Sequence, residues 1–266
     1  MQLTVGGRRV FAHTGGAELR LDPNDGRVVV LVHGAGNDHS VWRHQTRRLA
    51  GLGQPVLAVD LPGHGRSAGP ALTSVGAMAD WVGGVLDGVG ATSATVVGHS
   101  MGSLVAVESA ARLNGRVDRI ALVATAAQIG VHPTLQQAAD DCDPLAIDLI
   151  VGWSHNAASR FGGHPQAGMW TRQLTRRLLE RNLAVLGIDL STCTAYDAAA
   201  AAGSWSGDAL VIAGAADRMT PAGAGRAMAD LLGTEAVLVD GGSHVSLYDH
   251  PGPVNAALVP WVCAAA

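Results

Sequence analysis

Residues 95–106 constrain the fold of this chain more than any other stretch. They begin with the β-branched apolar run Thr95–Val97, pass through a Gly-x-Ser-x-Gly motif at residues 98–102, and end in an Ala/Leu/Val-rich segment with helical spacing. Glycine at both flanking positions permits a turn in which a larger residue would collide with neighbouring backbone. The pattern predicts a strand, a sharp turn and a helix, with Ser100 exposed at the apex and the His99 ring facing away into the loop.

Apolar runs typical of buried strands recur on both sides of this motif. They predict strands at residues 28–32, 55–59, 94–98, 119–124, 209–213 and 236–239. Residues 2–12 add two short strands around Gly6-Gly7, which is a suitable hairpin turn. Because helical patterns separate most of these runs, we predict an α/β fold: a mostly parallel twisted sheet of about eight strands with helices on both faces.

The alternation of strands and helices stops between residues 127 and 206. This stretch has no clear buried strand, and its helical patterns at 144–151 and 169–186 are separated by loops containing Gly and Pro. A long interruption flanked by sheet predicts an inserted helical cap. The expected organisation is therefore a first core part at 1–126, a cap at 127–206 and a second core part at 207–266.

Composition narrows the kinds of partner. The formal net charge of -4 and the charged content of 15% argue against a nucleic-acid-binding surface, so we expect a small-molecule substrate. All 18 basic residues are Arg, which excludes a Schiff-base lysine, a phosphate-loop lysine and a Ser-Lys dyad within this chain.

The chain shows no signal-peptide pattern and no apolar run of the roughly 18 residues that span a bilayer, so we expect a cytoplasmic protein with no membrane partner. Nothing in the sequence predicts the oligomeric state.

Three residues have the chemistry of a serine nucleophile and its support. A serine hydroxyl becomes reactive only beside a base that accepts its proton and a third group that orients that base. Asp217 follows the predicted strand 209–213, and His244 follows the strand 236–239. Because the carboxyl ends of parallel strands meet at one edge of a sheet, we predict that Ser100, Asp217 and His244 converge there.

Other residues compete for these roles. Asp60 is an alternative acid because it also ends a predicted strand, and His39 and His250 are alternative bases. His33 and His64 lie in Gly-rich loops, where we expect them to brace the loops, since no carboxylate or Cys partner stands at metal-ligand spacing. We therefore predict no metal site and no organic cofactor.

The chain resembles the α/β-hydrolase fold family over essentially its whole length. The matching motifs occur in the order typical of the family: His33–Gly36, Asp60–Ser67, Gly98–Gly102, Asp217 before Thr220-Pro221, and Gly242–His244. The family usually has glycine where this chain has Ser103, so we expect a slightly different packing of the helix on its strand.

The resemblance assigns roles to the residues that match. It implies that Ser100 is the nucleophile, that His244 is the general base and acid, and that Asp217 fixes the tautomer of the imidazole. It further implies an oxyanion hole formed by the main-chain N–H groups of Ala35 and Met101.

These observations predict a serine hydrolase that cleaves a small uncharged carboxylic ester through an acyl-enzyme intermediate. Within the same fold, the alternatives are a carbon–carbon bond hydrolase of the meta-cleavage-product type, an enol-lactonase and a cofactor-free perhydrolase. One alternative is not an enzyme: a ligand-binding homologue that keeps the triad but has negligible turnover. In the predicted cap, Trp153 and Trp170 are candidate substrate contacts, although they fit the cap's own core equally well.

Overall fold

The computed structural model describes residues 1–113, 115–156 and 168–264. Its strands are β1 Gln2–Val5, β2 Arg8–His13, β3 Arg27–Val32, β4 Val56–Val59, β5 Ser93–His99, β6 Val117–Val123, β7 Asp208–Gly214 and β8 Ala236–Val239. They form one eight-stranded sheet in the order β1-β2-β4-β3-β5-β6-β7-β8. β1 pairs antiparallel with β2, and β2 pairs antiparallel with β4. All other pairs are parallel, so the prediction of a mostly parallel sheet of about eight strands is confirmed.

Helices cover both faces of this sheet. They are α1 Arg43–Gly51, α2 Val75–Val89, α3 Met101–Arg112, α4 Pro133–Asp140, α5 Leu145–Ser154, α6 Gly168–Ala195, α7 Ala199–Gly203, α8 Ala222–Leu231, α9 Ser246–Asp249 and α10 Pro251–Cys263, with a short 3₁₀ helix at His39–Trp42. α2, α3 and α8 pack on one face, and α1 and α10 pack on the other. No helix in the described ranges has the length and apolar character needed to cross a membrane.

Burial on both faces of the sheet explains why the central strands have uninterrupted apolar runs. All four residues of β4 are buried, as are the last five of β3. Successive side chains of a strand point to opposite faces. In β5, Val96 accordingly joins the core under α2 and α3, whereas Val97 joins the core under α1 and α10. A strand covered on both faces needs apolar residues at every position rather than at alternate ones.

Helices α4 to α7 lie between β6 and β7, where the sequence predicts helix and no strand. Most buried apolar residues of α4, α5 and α6 form a separate cluster that includes Leu135 of α4, Ile147 of α5, and Leu179 and Leu186 of α6. The buried Ala202 of α7 belongs to the core under α2 and α3. α6 is longer than its predicted span of 169–186 and contains one residue with non-helical dihedrals, Asn182 (φ −116°, ψ 16°). The side chain at this irregular position reaches the loops of the core.

Candidate active site

Ser100 occupies the single position between the end of β5 and the start of α3. Its φ of 53° and ψ of −119° lie outside the regions that non-glycine residues ordinarily adopt, so surrounding structure must hold it there. The two flanking glycines permit this turn. A Cβ at Gly98 would overlap the carbonyl of Gly102, and a Cβ at Gly102 would overlap the carbonyl of Val32. Strand and helix therefore approach each other backbone to backbone, as the Gly-x-Ser-x-Gly pattern predicts.

Two main-chain N–H groups beside Ser100 have no acceptor within the described chain. One belongs to Met101, the first residue of α3, and the other to Ala35, in the loop that follows β3. The first N–H groups of a helix have no partner inside the helix and carry the positive end of its dipole. Ala35 and Ser100 both line one cavity. Both N–H groups are therefore available to donate to a ligand atom.

Asp217 and His244 are in direct contact. Asp217 Oδ2 lies 3.0 Å from His244 Nδ1, and both residues are buried. The other carboxylate oxygen, Oδ1, accepts hydrogen bonds from the N–H groups of Met219 (2.8 Å) and Thr220 (3.0 Å). Burial raises the pKa of Asp217, but the charge of His244 and the hydrogen bonds from His244 and Thr220 outweigh it and hold the pKa below its ordinary value. An ionised carboxylate thus faces the imidazole.

The His99 ring lies against His244 rather than away in the loop, where the sequence analysis placed it. The two ring centroids are 5.1 Å apart, and His99 Nε2 lies 2.8 Å from the carbonyl oxygen of His244. Burial, with a smaller contribution from the charge of His244, lowers the pKa of His99 to about 3. A neutral His99 therefore donates from Nε2 and supports the main chain of His244.

The alternative acid and the alternative bases form hydrogen-bonded pairs away from Ser100. Asp60 Oδ1 lies 2.7 Å from His39 Nδ1, and His250 Nδ1 lies 2.8 Å from Asp249 Oδ1. Neither pair lines the cavity that contains Ser100. Among the described residues, Asp217 is the carboxylate that contacts His244.

One group of side chains in the described chain has ligand atoms close enough for a metal ion. Asp38, His39 and Asp60 each offer an atom within 4.8 Å of the other two. Asp38 Oδ1, however, accepts hydrogen bonds from the N–H and hydroxyl of Ser40. Asp60 accepts from the N–H groups of His39 and Arg66 and from the His39 ring. Internal donors thus occupy these oxygens, and the group gives no argument for a metal site.

A cavity of about 360 Å³ contains Ser100 and His244 in its wall. Most of the remaining lining is apolar and includes Ile129, Val131, Leu135, Ile150, Leu179 and Leu190. Trp153 lies in this lining. Trp170 is 70% exposed and does not line the cavity, so the structure brings only one of the two predicted tryptophans to the site. The size and apolar lining suit a small ligand.

The side-chain hydroxyls of Thr220 and Ser103 also contact the site, and the sequence analysis assigned neither of them a role in it. Thr220 Oγ1 donates to Asp217 Oδ2 at 2.7 Å and lies 3.2 Å from His244 Nδ1. Ser103 Oγ lies 2.5 Å from the carbonyl oxygen of Ser100, within the first turn of α3. The signal for Thr220 was its position three residues after an Asp, a spacing typical of side chains that close a turn.

The chain is similar to known proteins over most of its length. A model described as the alpha/beta hydrolase family matches residues 29–257. The Pimeloyl-[acyl-carrier protein] methyl ester esterase of Chromobacterium violaceum is 34% identical over 238 residues, which cover 85% of this chain and 90% of that protein.

Two further similarities differ in extent. Epoxide hydrolase B of Mycobacterium tuberculosis is 44% identical over 84 residues, which cover 30% of this chain, so the match spans only about a quarter (24%) of that protein. Among solved structures, the enol-lactonase from Burkholderia xenovorans LB400 superposes with a TM-score of 0.83 at 23% identity. That match covers 98% of this chain and 99% of the enol-lactonase chain, and it shows a shared fold.

Proposed function

This chain belongs to the alpha/beta hydrolase family, and from that premise we propose that it is a serine hydrolase that cleaves a small, uncharged carboxylic ester through an acyl-enzyme intermediate. The observation that carries the proposal is the 3.0 Å contact between Asp217 and His244 beside a cavity that also contains Ser100. The similarity to a methyl ester esterase supports an ester as the bond that is cleaved. The largely apolar lining supports an uncharged acyl group.

The first half of the reaction forms the acyl-enzyme. Asp217 accepts the Nδ1–H of His244, which leaves Nε2 as the base that takes the proton from the Ser100 hydroxyl. The Ser100 oxygen attacks the carbonyl carbon of the ester, and the π electrons of the C=O bond move to the carbonyl oxygen. The N–H groups of Ala35 and Met101 stabilise that oxyanion, each contributing about 3 kcal/mol to the lowering of the barrier.

The second half returns the enzyme to its starting state. His244 Nε2–H protonates the leaving alcohol as the tetrahedral intermediate collapses to the acyl-enzyme. His244 then accepts a proton from water, whose oxygen attacks the acyl carbon, and finally returns that proton to Ser100. One ester and one water give one carboxylic acid and one alcohol.

Helices α4 to α6 provide much of the cavity lining, and we assign them to a cap that spans residues 127–206. In this arrangement the loops of the core supply the reacting groups, and the cap determines which acyl group fits. Trp153 is the proposed aromatic contact of the acyl chain, since Trp170 lies outside the lining.

The decisive experiment measures hydrolysis of p-nitrophenyl esters with acyl chains of two, four, eight and twelve carbons. We expect turnover by the parent enzyme and loss of turnover in Ser100→Ala, with the chain-length optimum reporting the size of the cavity. Ser204→Ala, which changes a serine at the end of α7, is the matched control and should match the parent. If folded parent and Ser100→Ala are equally inactive, the esterase proposal is wrong. Carbon–carbon bond cleavage, lactone opening, perhydrolysis or ligand binding then becomes the leading hypothesis.

A further inference from the structure

Helix α6 binds the main chain of the loop that contains Ala35. The N–H of Gly36, the residue after Ala35, donates to Asp189 Oδ2 at 2.8 Å. The carbonyl of Gly36 accepts from Asn182 Nδ2 at 3.2 Å, and the same amide lies 3.1 Å from the carbonyl of Asn37. Both main-chain polar groups of Gly36 are thus held by side chains of a single helix, α6.

The peptide plane that follows Ala35 is fixed at both ends. Its carbonyl, on Ala35, accepts from Asn37 Nδ2 at 3.0 Å, and its N–H, on Gly36, is bound by Asp189. The plane before Ala35 is fixed from within the loop, because the Gly34 carbonyl accepts from the N–H of Asn37 (3.2 Å) and from His33 Nδ1 (2.9 Å). The Ala35 N–H lies in the plane before Ala35, and the Ala35 Cα joins this plane to the plane after Ala35, so a shift of the second plane tilts the first. Asp189 is the anchor of the second plane that comes from outside the loop.

The carboxylate of Asp189 is itself fixed by a charged partner. His64 Nε2 lies 2.8 Å from Asp189 Oδ2, and His64 Nδ1 lies 3.1 Å from the carbonyl of Pro62. Both ring nitrogens face acceptors, so both carry a proton and the ring is an imidazolium. Burial lowers the pKa of His64, but the Asp189 carboxylate and the Pro62 carbonyl outweigh it and raise the pKa. The pair is a buried ion pair with no exposure at Asp189.

Asn182 extends this connection to the second glycine-rich loop. Its Oδ1 accepts from the N–H of Gly65 at 3.0 Å, while its Nδ2 donates to the loop after β3. Asn182 is 4% exposed and stands at the non-helical position of α6. The irregularity in the helix therefore coincides with the side chain that joins the two loops.

From these contacts we propose that Asp189 and Asn182 are positioning residues: they hold the loop 33–37 so that the Ala35 N–H points at the developing oxyanion. This inference rests on the proposed function. It makes α6 a determinant of the rate of the chemical step as well as a wall of the cavity. Since an oxyanion hydrogen bond is stronger in the transition state than in the ground state, losing its alignment lowers kcat and leaves KM nearly unchanged.

The test compares the kinetics of Asp189→Ala with those of a control variant, using the p-nitrophenyl ester that the parent hydrolyses best. We expect kcat of Asp189→Ala to fall by about 10-fold or more, with KM within about two-fold of the parent value. The control is Gln136→Ala, which removes a 3.0 Å hydrogen bond from α4 to the Gly187 carbonyl of α6, away from both loops. Its kcat should equal that of the parent. Asp189→Asn, which keeps an acceptor for the Gly36 N–H, should recover most of the lost rate.

An inhibitor measurement separates positioning from a merely structural role. An alkyl boronic acid forms a tetrahedral adduct with the serine and needs the oxyanion donors, whereas the carboxylic acid product needs them far less. Asp189→Ala should weaken boronic acid inhibition by the same factor as kcat and leave product inhibition unchanged. If Asp189→Ala does not fold, Asn182→Ala is measured in its place, with the same expected split.

Two results would overturn the inference: a folded Asp189→Ala with the kcat of the parent, or one whose KM rises while kcat is unchanged. Failure of the proposed function is distinguishable, because it would show as an inactive parent or as a Ser100→Ala variant that retains activity. An active parent, an inactive Ser100→Ala and an unaffected Asp189→Ala would reject the positioning role alone.

Discussion

Asp217 accepts hydrogen bonds on both of its carboxylate oxygens. Within the described chain, two of the donors are side chains: the His244 ring and the Thr220 hydroxyl. The hydroxyl lies 2.7 Å from Asp217 Oδ2, the same oxygen that contacts His244. It therefore fixes the carboxylate rotamer that holds the imidazole. A hydrogen bond to a charged acceptor contributes about 1.5–3 kcal/mol to stability, and we expect about 1 kcal/mol of this to act on the orientation of the imidazole, enough to affect catalysis without abolishing it.

Thr220→Val removes this hydroxyl and keeps the shape of the side chain. We expect kcat/KM for the best ester substrate to fall by about 5-fold, because the carboxylate loses one of the bonds that orient it. Thr220→Ser retains the donor and should match the parent. Equal kcat/KM in the parent and the valine variant would show that the two N–H groups of Met219 and Thr220 orient Asp217 without help.

The sequence predicts the role of a residue where that role follows from its position after a strand. Asp217 and His244 each follow a strand, and parallel strands end at the same edge, so their proximity follows from topology. Asp189 had no such signal. Its contact with Gly36 spans 153 positions and depends on how one helix lies on one loop, which no local pattern expresses. Trp170 illustrates the converse, since its aromatic character suggested a contact that its position on the surface of α6 does not allow.

At the scale of secondary structure, the junction of β5 and α3 depends on the absence of two Cβ atoms. At Gly102 the neighbours of an added Cβ are the main-chain carbonyls of Val32 and His33, which cannot move aside as a flexible side chain does. β3 is a central strand of the sheet with five buried residues. An added methyl group at Gly102 would therefore displace part of the core.

Gly102→Ala should lower the free energy of unfolding by about 2–4 kcal/mol, since the overlap is with backbone. Gly223→Ala is the matched control: this glycine lies in α8, and nothing stands within 4 Å of an added Cβ. That variant should be neutral or more stable by up to about 1 kcal/mol. Urea unfolding monitored by circular dichroism measures both changes. Equal stability of the two variants would show that α3 can move away from the end of β3 without cost.

Strands were easier to predict than the helices between β6 and β7. The six parallel strands lie within about two residues of their predicted bounds, because uninterrupted apolar runs mark segments that are covered on both faces. α6 extends nine residues beyond its predicted end at 186. Its second half contains Gly187 and several Ser and Thr residues, and packing of Leu186 and Leu190 in the cluster with α4 and α5 stabilises it. Local propensity alone does not indicate that packing.

At the scale of the whole molecule, three neutral histidines with strongly lowered pKa values are buried in the part of the chain that the structure describes. Burial is the largest cause that lowers the pKa of His33 to about 4, of His99 to about 3, and of His155 to about 4. In the unfolded chain each has a pKa of 6.5. Below that pH the unfolded chain binds protons that the folded protein does not, so stability falls as pH falls.

His64 makes the opposite contribution. Its pKa is raised in the folded protein, so the stability that it contributes is fully present below the unfolded value of 6.5 and is lost as pH rises through the folded pKa. It adds no slope on the acidic side, where it is protonated in both states. The three buried neutral histidines therefore make the largest contribution to the acidic slope, and His13 and His44, whose pKa values burial also lowers, add a smaller one. The alkaline slope includes the ion pair with Asp189.

Unfolding of the parent in urea near pH 7, 6 and 5 measures this dependence. With three sites each contributing about 1.4 kcal/mol per pH unit, we expect the free energy of unfolding to fall by roughly 4 kcal/mol per unit between about pH 6 and 5. His155→Gln removes one of these sites away from Ser100 and should reduce the slope by about a third. A free energy of unfolding that stays constant from neutral pH to about pH 5 would mean that these rings are already protonated inside the fold. In that case the hydrogen bond from His99 to the His244 carbonyl could no longer be ascribed to a neutral ring, and its support of the site would have to be revised.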